Sequence, residues 1–197
     1  MSESMEMSRK LRSAFILIDY TVDFVHEDGK LTVGKPGQTI KTMIEKKIQT
    51  YVAANDLVMV VNDLHELEDK NHPEHKLFPP HNIFGTPGRK LYGNLEELLI
   101  TLEKDNPGQI FRLDKRRYSA FYGTPLELIL RQEGITSIEL AGVCTDICIL
   151  HSAVDAYNKG FNVTIDEGAV ASFNSTGHEL ALDHFESVMG FRVLRRG

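Results

Sequence analysis

Four places in this chain carry groups that could do chemistry together: Asp19 closing the run FILID, Asp63 and His65 in VVNDLH, Lys115 in FRLDK, and Cys148 in GVCTDIC. A thiol attacks as thiolate, so it needs a carboxylate to take its proton and a cation to hold the charge that results. Asp19 and Lys115 are of those two types. In the extended Asp63-Leu64-His65 the two outer side chains point the same way and can converge on one ion. His72, Glu74, His75 and His81 follow in the next stretch. A thiol, a base, an amine and metal ligands would, if gathered in one cleft, point to a cysteine hydrolase.

The elements that must position these groups are short buried strands alternating with helices. Ala14 to Ile18 and Leu57 to Asn62 are apolar runs too short for helices and suited to strands buried on both faces. Gln109 to Leu113, Ser137 to Val143, Asn162 to Asp166 and Arg192 to Leu194 read as four more strands. Between them, Ile40, Ile44, Ile48 and Tyr51 mark a helix starting near Pro36, and Leu95, Leu98, Leu99 and Leu102 mark a second. Pro125 to Glu133, Asp146 to Lys159 and His178 to Met189 read as three more. In the fourth of these, Ile147, Leu150, Val154 and Tyr157 form the apolar face expected to meet the sheet. Such alternation predicts an α/β three-layer sandwich around a central, mostly parallel, six-stranded sheet of Rossmann-like type. Each chemical group then falls at the carboxyl end of a strand, where open parallel sheets hold their sites.

Length and composition bound the rest. The 197 residues suffice for one domain, read as 13–197 after a polar N-terminal tail over 1–12. A hydrophobic content of 42% and a charged content of 25% are those of an ordinary globular protein, and no apolar run approaches a membrane span of roughly 20 residues. The start MSESMEMSRKLRS lacks the apolar core of a secretory signal, so a cytoplasmic location is expected. Two cysteines four residues apart form no disulfide framework, which suits a reducing compartment. A net charge of −6 argues against a nucleic-acid partner. The expected partner is a small molecule, and a homo-oligomer is compatible with the sequence.

Each group also has a plain structural reading. Free cysteines are among the most buried residues, a strand-end aspartate is commonly a turn former, and a lone lysine is commonly solvated. Cys144, at the strand end, fits the buried-cysteine reading. Cys148 follows Thr145 and Asp146, either of which could cap a helix, and its place in the first turn should favour thiolate. The loop from Leu64 to about Tyr92 holds four of the seven prolines and four of the eight histidines, and loops of that length in compact domains are usually functional.

The segments ILIDYTVDF, VNDLHELEDKNHPEHKLFPPHN, DKRRYSAF and GVCTDICILHSAVDAY resemble those of the isochorismatase-like cysteine hydrolases, most closely the nicotinamidases (pyrazinamidases). The similarity runs from about Ala14 to Ala171, with the segments in family order. It implies Asp19, Lys115 and Cys148 as a catalytic triad and Asp63, His65 and His81 as ligands of one divalent metal, with Glu74 of the HPE element as a further ligand. Zinc is the expected ion; iron and manganese suit the same donors. The resemblance further implies a cis peptide between Val143 and Cys144, an oxyanion hole from the N–H groups of Cys144 and Cys148, and Phe24, Phe78 and Tyr118 lining a nicotinamide pocket. The implied reaction converts nicotinamide to nicotinate and ammonia through a thioester, a step of NAD salvage. Two other readings are an amidase of the same superfamily acting on a carbamoyl or ureido compound, and a catalytically silent metal-binding scaffold.

Overall fold

In the structure, a computed structural model that describes residues 12–196, the apolar runs form six strands. They are β1 (Ser13–Ile18), β2 (Leu57–Asp63), β3 (Ile110–Lys115), β4 (Ser137–Val143), β5 (Asn162–Ala171) and β6 (Arg192–Leu194). They make one sheet in the order β3-β2-β1-β4-β5-β6 with every pair parallel. The expected α/β architecture is present. Of the tail read over 1–12, all but Arg12 lies outside the described residues.

Alternate side chains of each central strand enter different layers, the period-2 consequence of the pleat. Ala14, Ile16 and Ile18 join one apolar cluster with Leu57, Met59 and Val61, while Phe15 and Leu17 join Val58 and Val60 in the other. The first cluster is covered by α5 (Leu126–Gln132), α6 (Leu150–Asn158) and α7 (Ser175–Ser187). The second lies under α3 (Lys41–Ala53) and α4 (Leu95–Asp105). Two short helices, α1 (Val22–Val25) and α2 (Lys35–Thr39), precede α3. Ile40 interrupts the helix expected from Pro36, so α2 and α3 are separate.

Three expectations are corrected. The face of α6 that meets the sheet is Ser152, Ala153 and Ala156, while Val154 and Tyr157 are exposed. The cause is a π-helical turn at Thr145–Ile149, in which the Ile149 N–H reaches back five residues to the Cys144 carbonyl at 3.1 Å. One extra residue in a turn rotates everything after it by about 100°. Strand β5 runs on to Ala171 rather than stopping at Asp166, because a register shift opposite Leu140 and Gly142 absorbs the polar residues that read as a strand end. Helix α7 starts at Ser175, where the Asn174 side chain accepts the Gly177 N–H at 3.0 Å.

The topology places the site. The chain lays β2 and β3 on one side of β1 and β4 to β6 on the other, so strand order reverses between β1 and β4 and a crevice opens at their carboxyl ends. There Gly142 adopts φ 116°, and a Cβ on it would collide with the Ile18 carbonyl oxygen. Only glycine lets β4 come so close to the end of β1. Among the described residues no helix is long and apolar enough to cross a membrane.

Candidate active site

Asp19 follows the last residue of β1 in a left-handed conformation, φ 58°, a backbone state aspartate tolerates better than most residues. That turn sends its carboxylate inward, where Oδ1 accepts the Asp63 N–H at 2.7 Å. Lys115 ends β3 in register with Asp63 at the end of β2. Its Nζ lies 2.7 Å from Asp19 Oδ2, 3.4 Å from Asp63 Oδ1 and 3.6 Å from Cys148 Sγ, and donates to the Arg117 carbonyl at 3.1 Å. Asp19, Lys115 and Cys148 are all buried. Three strand ends therefore deliver the three residues of the candidate triad to one point.

Electrostatics divides their roles. Burial works against the Lys115 ammonium, but the charges of Asp19 and Asp63 outweigh it and hold its pKa well above that of an ordinary lysine. Burial pushes the Cys148 thiol well above its usual range, with Lys115 pulling it down and Asp19 pushing it up. This is opposite to the thiolate-favouring environment expected for Cys148, which lies buried in the π-helical turn. Burial, partly countered by Lys115, raises the pKa of Asp19 as well, which makes it a better proton acceptor. Cys144 is buried too, its pKa pushed up to about 12 by desolvation and the Asp146 charge. The Val143–Cys144 peptide is cis.

The loop after β2 supplies the second cluster. Donor atoms of Asp63, His65, Glu74 and His81 all lie within 4.8 Å of one another, and all four residues are buried. His65 Nε2 is 2.7 Å from Asp63 Oδ2, and His81 Nε2 is 3.7 Å from Asp63 Oδ2 and 3.6 Å from Glu74 Oε2. His81 Nδ1–H donates to the Pro79 carbonyl at 2.8 Å, leaving Nε2 buried without a hydrogen-bond partner. A buried lone pair facing two carboxylates and an imidazole is the donor set of a divalent cation, and the residues fit one. Burial opposes ionisation of Asp63, yet Lys115 and the two histidines hold its carboxyl well below the usual range. His75, the third histidine of the loop, is exposed and outside the cluster.

Several positioning contacts carry no signal in the sequence. The His72 ring lies 4.2 Å from that of His65; its Nδ1 accepts the Glu74 N–H at 3.3 Å, so its Nε2–H donates to the Arg116 carbonyl at 2.8 Å. It thereby ties the ligand loop to the segment after Lys115. Asn82 accepts from Thr21 Oγ1 at 2.8 Å and donates its backbone N–H to Asp23 Oδ2 at 2.8 Å, fixing the residue after His81. Arg89 Nε donates to the Asp63 carbonyl at 2.9 Å.

Phe24, Phe78 and Tyr118, the three expected pocket aromatics, line one cavity with Cys148, Asp63 and Glu74. Leu31 and Phe173 join them, unannounced by any local pattern. Cys148 and two residues of the ligand cluster, Asp63 and Glu74, thus border the same cavity. A second trio, Glu167, His178 and Glu179, also converges. Its carboxylates already hold the Arg196 N–H at 2.8 Å and Arg195 Nη1 at 3.2 Å.

The isochorismatase domain family matches residues 13–193. An uncharacterized isochorismatase family protein PncA of Bacillus subtilis (strain 168) is 49% identical over 183 residues, 93% of this chain and 99% of that protein. The crystal structure of nicotinamidase/pyrazinamidase PncA from Bacillus subtilis superposes with a TM-score of 0.90 at 49% identity, covering 94% of this chain and 100% of that one. Pyrazinamidase of Pyrococcus horikoshii in complex with zinc matches with a TM-score of 0.80 at 26% identity, covering 94% and 99%. With that match over nearly its whole length and the same sheet beneath it, the chain belongs to the isochorismatase domain family.

Proposed function

We propose that this amidohydrolase is a nicotinamidase, hydrolysing nicotinamide to nicotinate and ammonia. The observation that carries the reading is the shared cavity, bordered by Cys148, by Asp63 and Glu74 of the ligand cluster, and by the rings of Phe24, Phe78 and Tyr118. A divalent ion held by Asp63, His65, Glu74 and His81, with zinc the first choice, would supply Lewis acidity for the pyridine nitrogen. The chain's own residues do the rest. Phe24, Phe78 and Tyr118 hold the ring, and the carboxamide carbon meets Cys148.

Asp19 takes the thiol proton as the sulfur attacks, and Lys115 stabilises the charge-separated pair. The N–H groups of Cys144 and Cys148 receive the developing oxyanion, a contribution of about 3 kcal/mol per donor. Among the described residues the Cys144 N–H has no hydrogen-bond partner of its own. Asp19 returns its proton to the departing ammonia, then takes one from the water that cleaves the thioester. The catalytic unit is read as a single domain over 13–197, acting in the reducing cytoplasm where both free thiols persist. Ammonia release from nicotinamide, benzamide and a ureido compound, with and without chelation, tests the reading. Preference for the ureido compound would move the substrate to the carbamoyl class.

A further inference from the structure

Between Cys144 and Cys148 the turn carries two polar side chains, Thr145 and Asp146, and neither points into the cavity. Both are gripped from behind by one segment, Ser172 to His178. Thr145 is fully buried, and its Oγ1 lies 2.8 Å from His178 Nδ1. Asp146 Oδ1 accepts from Ser172 Oγ at 2.6 Å. Gly177 packs so close to the Asp146 carboxylate that a Cβ there would collide with it. The Asn174 cap fixes where α7 begins and thus where His178 stands, in its first turns.

The geometry of this clasp bears on the cysteine turn directly. At the start of the turn the Cys144 carbonyl accepts from Ile147 and Ile149, both at 3.1 Å. The side chains of Thr145 and Asp146 add anchors from outside the turn, to His178 and Ser172. His178 is half-buried, with burial pushing its pKa down against the Glu179, Glu167 and Asp146 carboxylates and with Arg195 nearby. A neutral imidazole ring shares one hydrogen bond with the Thr145 hydroxyl whichever of the two donates.

We propose that His178 is a positioning residue for catalysis: through Thr145 it holds the turn that aims the Cys144 and Cys148 N–H groups, while touching no reacting atom itself. The inference rests on the reading of that turn as the oxyanion cradle of an amidase. A misaimed donor weakens the transition state more than the ground state, so the loss falls on kcat. Alkylation of Cys148 by iodoacetamide develops no oxyanion and should not respond.

The test compares the parent chain with His178→Ala, His178→Asn and Thr145→Val. In His178→Ala, kcat for nicotinamide should fall roughly 10- to 100-fold, the scale of a small misplacement of catalytic groups, with KM changed less than about 3-fold. The alkylation rate of Cys148 should stay at the parent value. Asn places a hydrogen-bonding atom where Nδ1 stood, so His178→Asn should recover most of the loss. Thr145→Val combined with His178→Ala should be no worse than the more damaged single variant, because both break one link. Parent-level kcat in His178→Ala overturns the proposal. So does a parallel fall of alkylation and turnover, which would mean general loosening around the thiol, or a His178→Asn variant that folds as the parent does yet recovers nothing. A parent chain without amidase turnover would sink the nicotinamidase reading itself and this inference with it, an outcome seen before any variant is compared.

Discussion

The Asp19 carboxylate and the Lys115 ammonium form an ion pair at 2.7 Å with neither side chain exposed. Lys115 is also 3.4 Å from Asp63, so one cation serves two buried carboxylates. Removing one member of a buried pair strands its partner's charge, at about 3–5 kcal/mol. Lys115→Met strands two carboxylates, whereas Asp19→Asn leaves Lys115 with Asp63. Urea unfolding should therefore show Lys115→Met as the less stable variant, although both should lower kcat by at least ~10²-fold. Equal stabilities would mean that the Asp63 contact contributes nothing.

Cys148→Ala should abolish turnover and remove the alkylated cysteine detected by mass spectrometry. Cys144→Ser should keep most activity, because a thiol with its pKa near 12 supplies no thiolate at neutral pH. Melting temperatures of both variants separate a catalytic loss from a packing defect. Loss of turnover in a stable Cys144→Ser protein would assign chemistry to the second thiol.

His81→Ala tests the ligand cluster more cleanly than Asp63→Ala, because Asp63 also pairs with Lys115. The variant should bind less zinc and show a KM for nicotinamide raised about 10-fold or more, while Cys148 alkylation stays near the parent rate. Benzamide, which has no ring nitrogen, should be a poor substrate and lose little more on chelation. If the metal-loaded protein cleaved benzamide and nicotinamide equally well, ring-nitrogen coordination would be wrong.

Away from the cleft, Lys47 Nζ sits between Glu139 Oε1 at 2.6 Å and Asp166 Oδ2 at 2.7 Å. The Tyr51 hydroxyl donates to Glu139 Oε2 at 2.9 Å. Burial opposes the Lys47 charge, but its two carboxylate partners raise its pKa above 10.5. A raised lysine stabilises the fold fully below its unfolded value and ceases to do so as pH climbs through the folded one. The parent should therefore lose stability above about pH 10.5. Lys47→Met should be less stable by about 3 kcal/mol at pH 7, with the gap to the parent closing as pH rises past that point. A gap constant from pH 7 to 12 would show that the network does not depend on the lysine's charge.

Strand ends were legible from the chain alone, because a strand buried on both faces must be an unbroken apolar run. FILI before Asp19 and VMVV ahead of Asp63 could hardly be read otherwise. From four such ends, and the rule that parallel sheets open their crevice there, Asp19, Asp63, Lys115 and Cys148 could be assembled before any contact was known. Type and spacing showed a crowd of donors after His65, and the resemblance to the isochorismatase-like hydrolases singled out Glu74 and His81 among them.

The packing partners of these groups came from contacts distant in sequence, which no local pattern encodes. The π-helical turn rotated the face of α6 away from the expected one, because one added residue shifts helical phase while leaving composition unchanged. Burial depth pushes the pKa of Cys148 up where its place in the helix start suggested the opposite, since desolvation depends on everything packed around the sulfur. The link from His178 to Thr145 spans 33 residues. It exists because the sheet lays the end of β5 beside the end of β4 and delivers the start of α7 to the back of the cysteine turn, a proximity that only the folded chain creates.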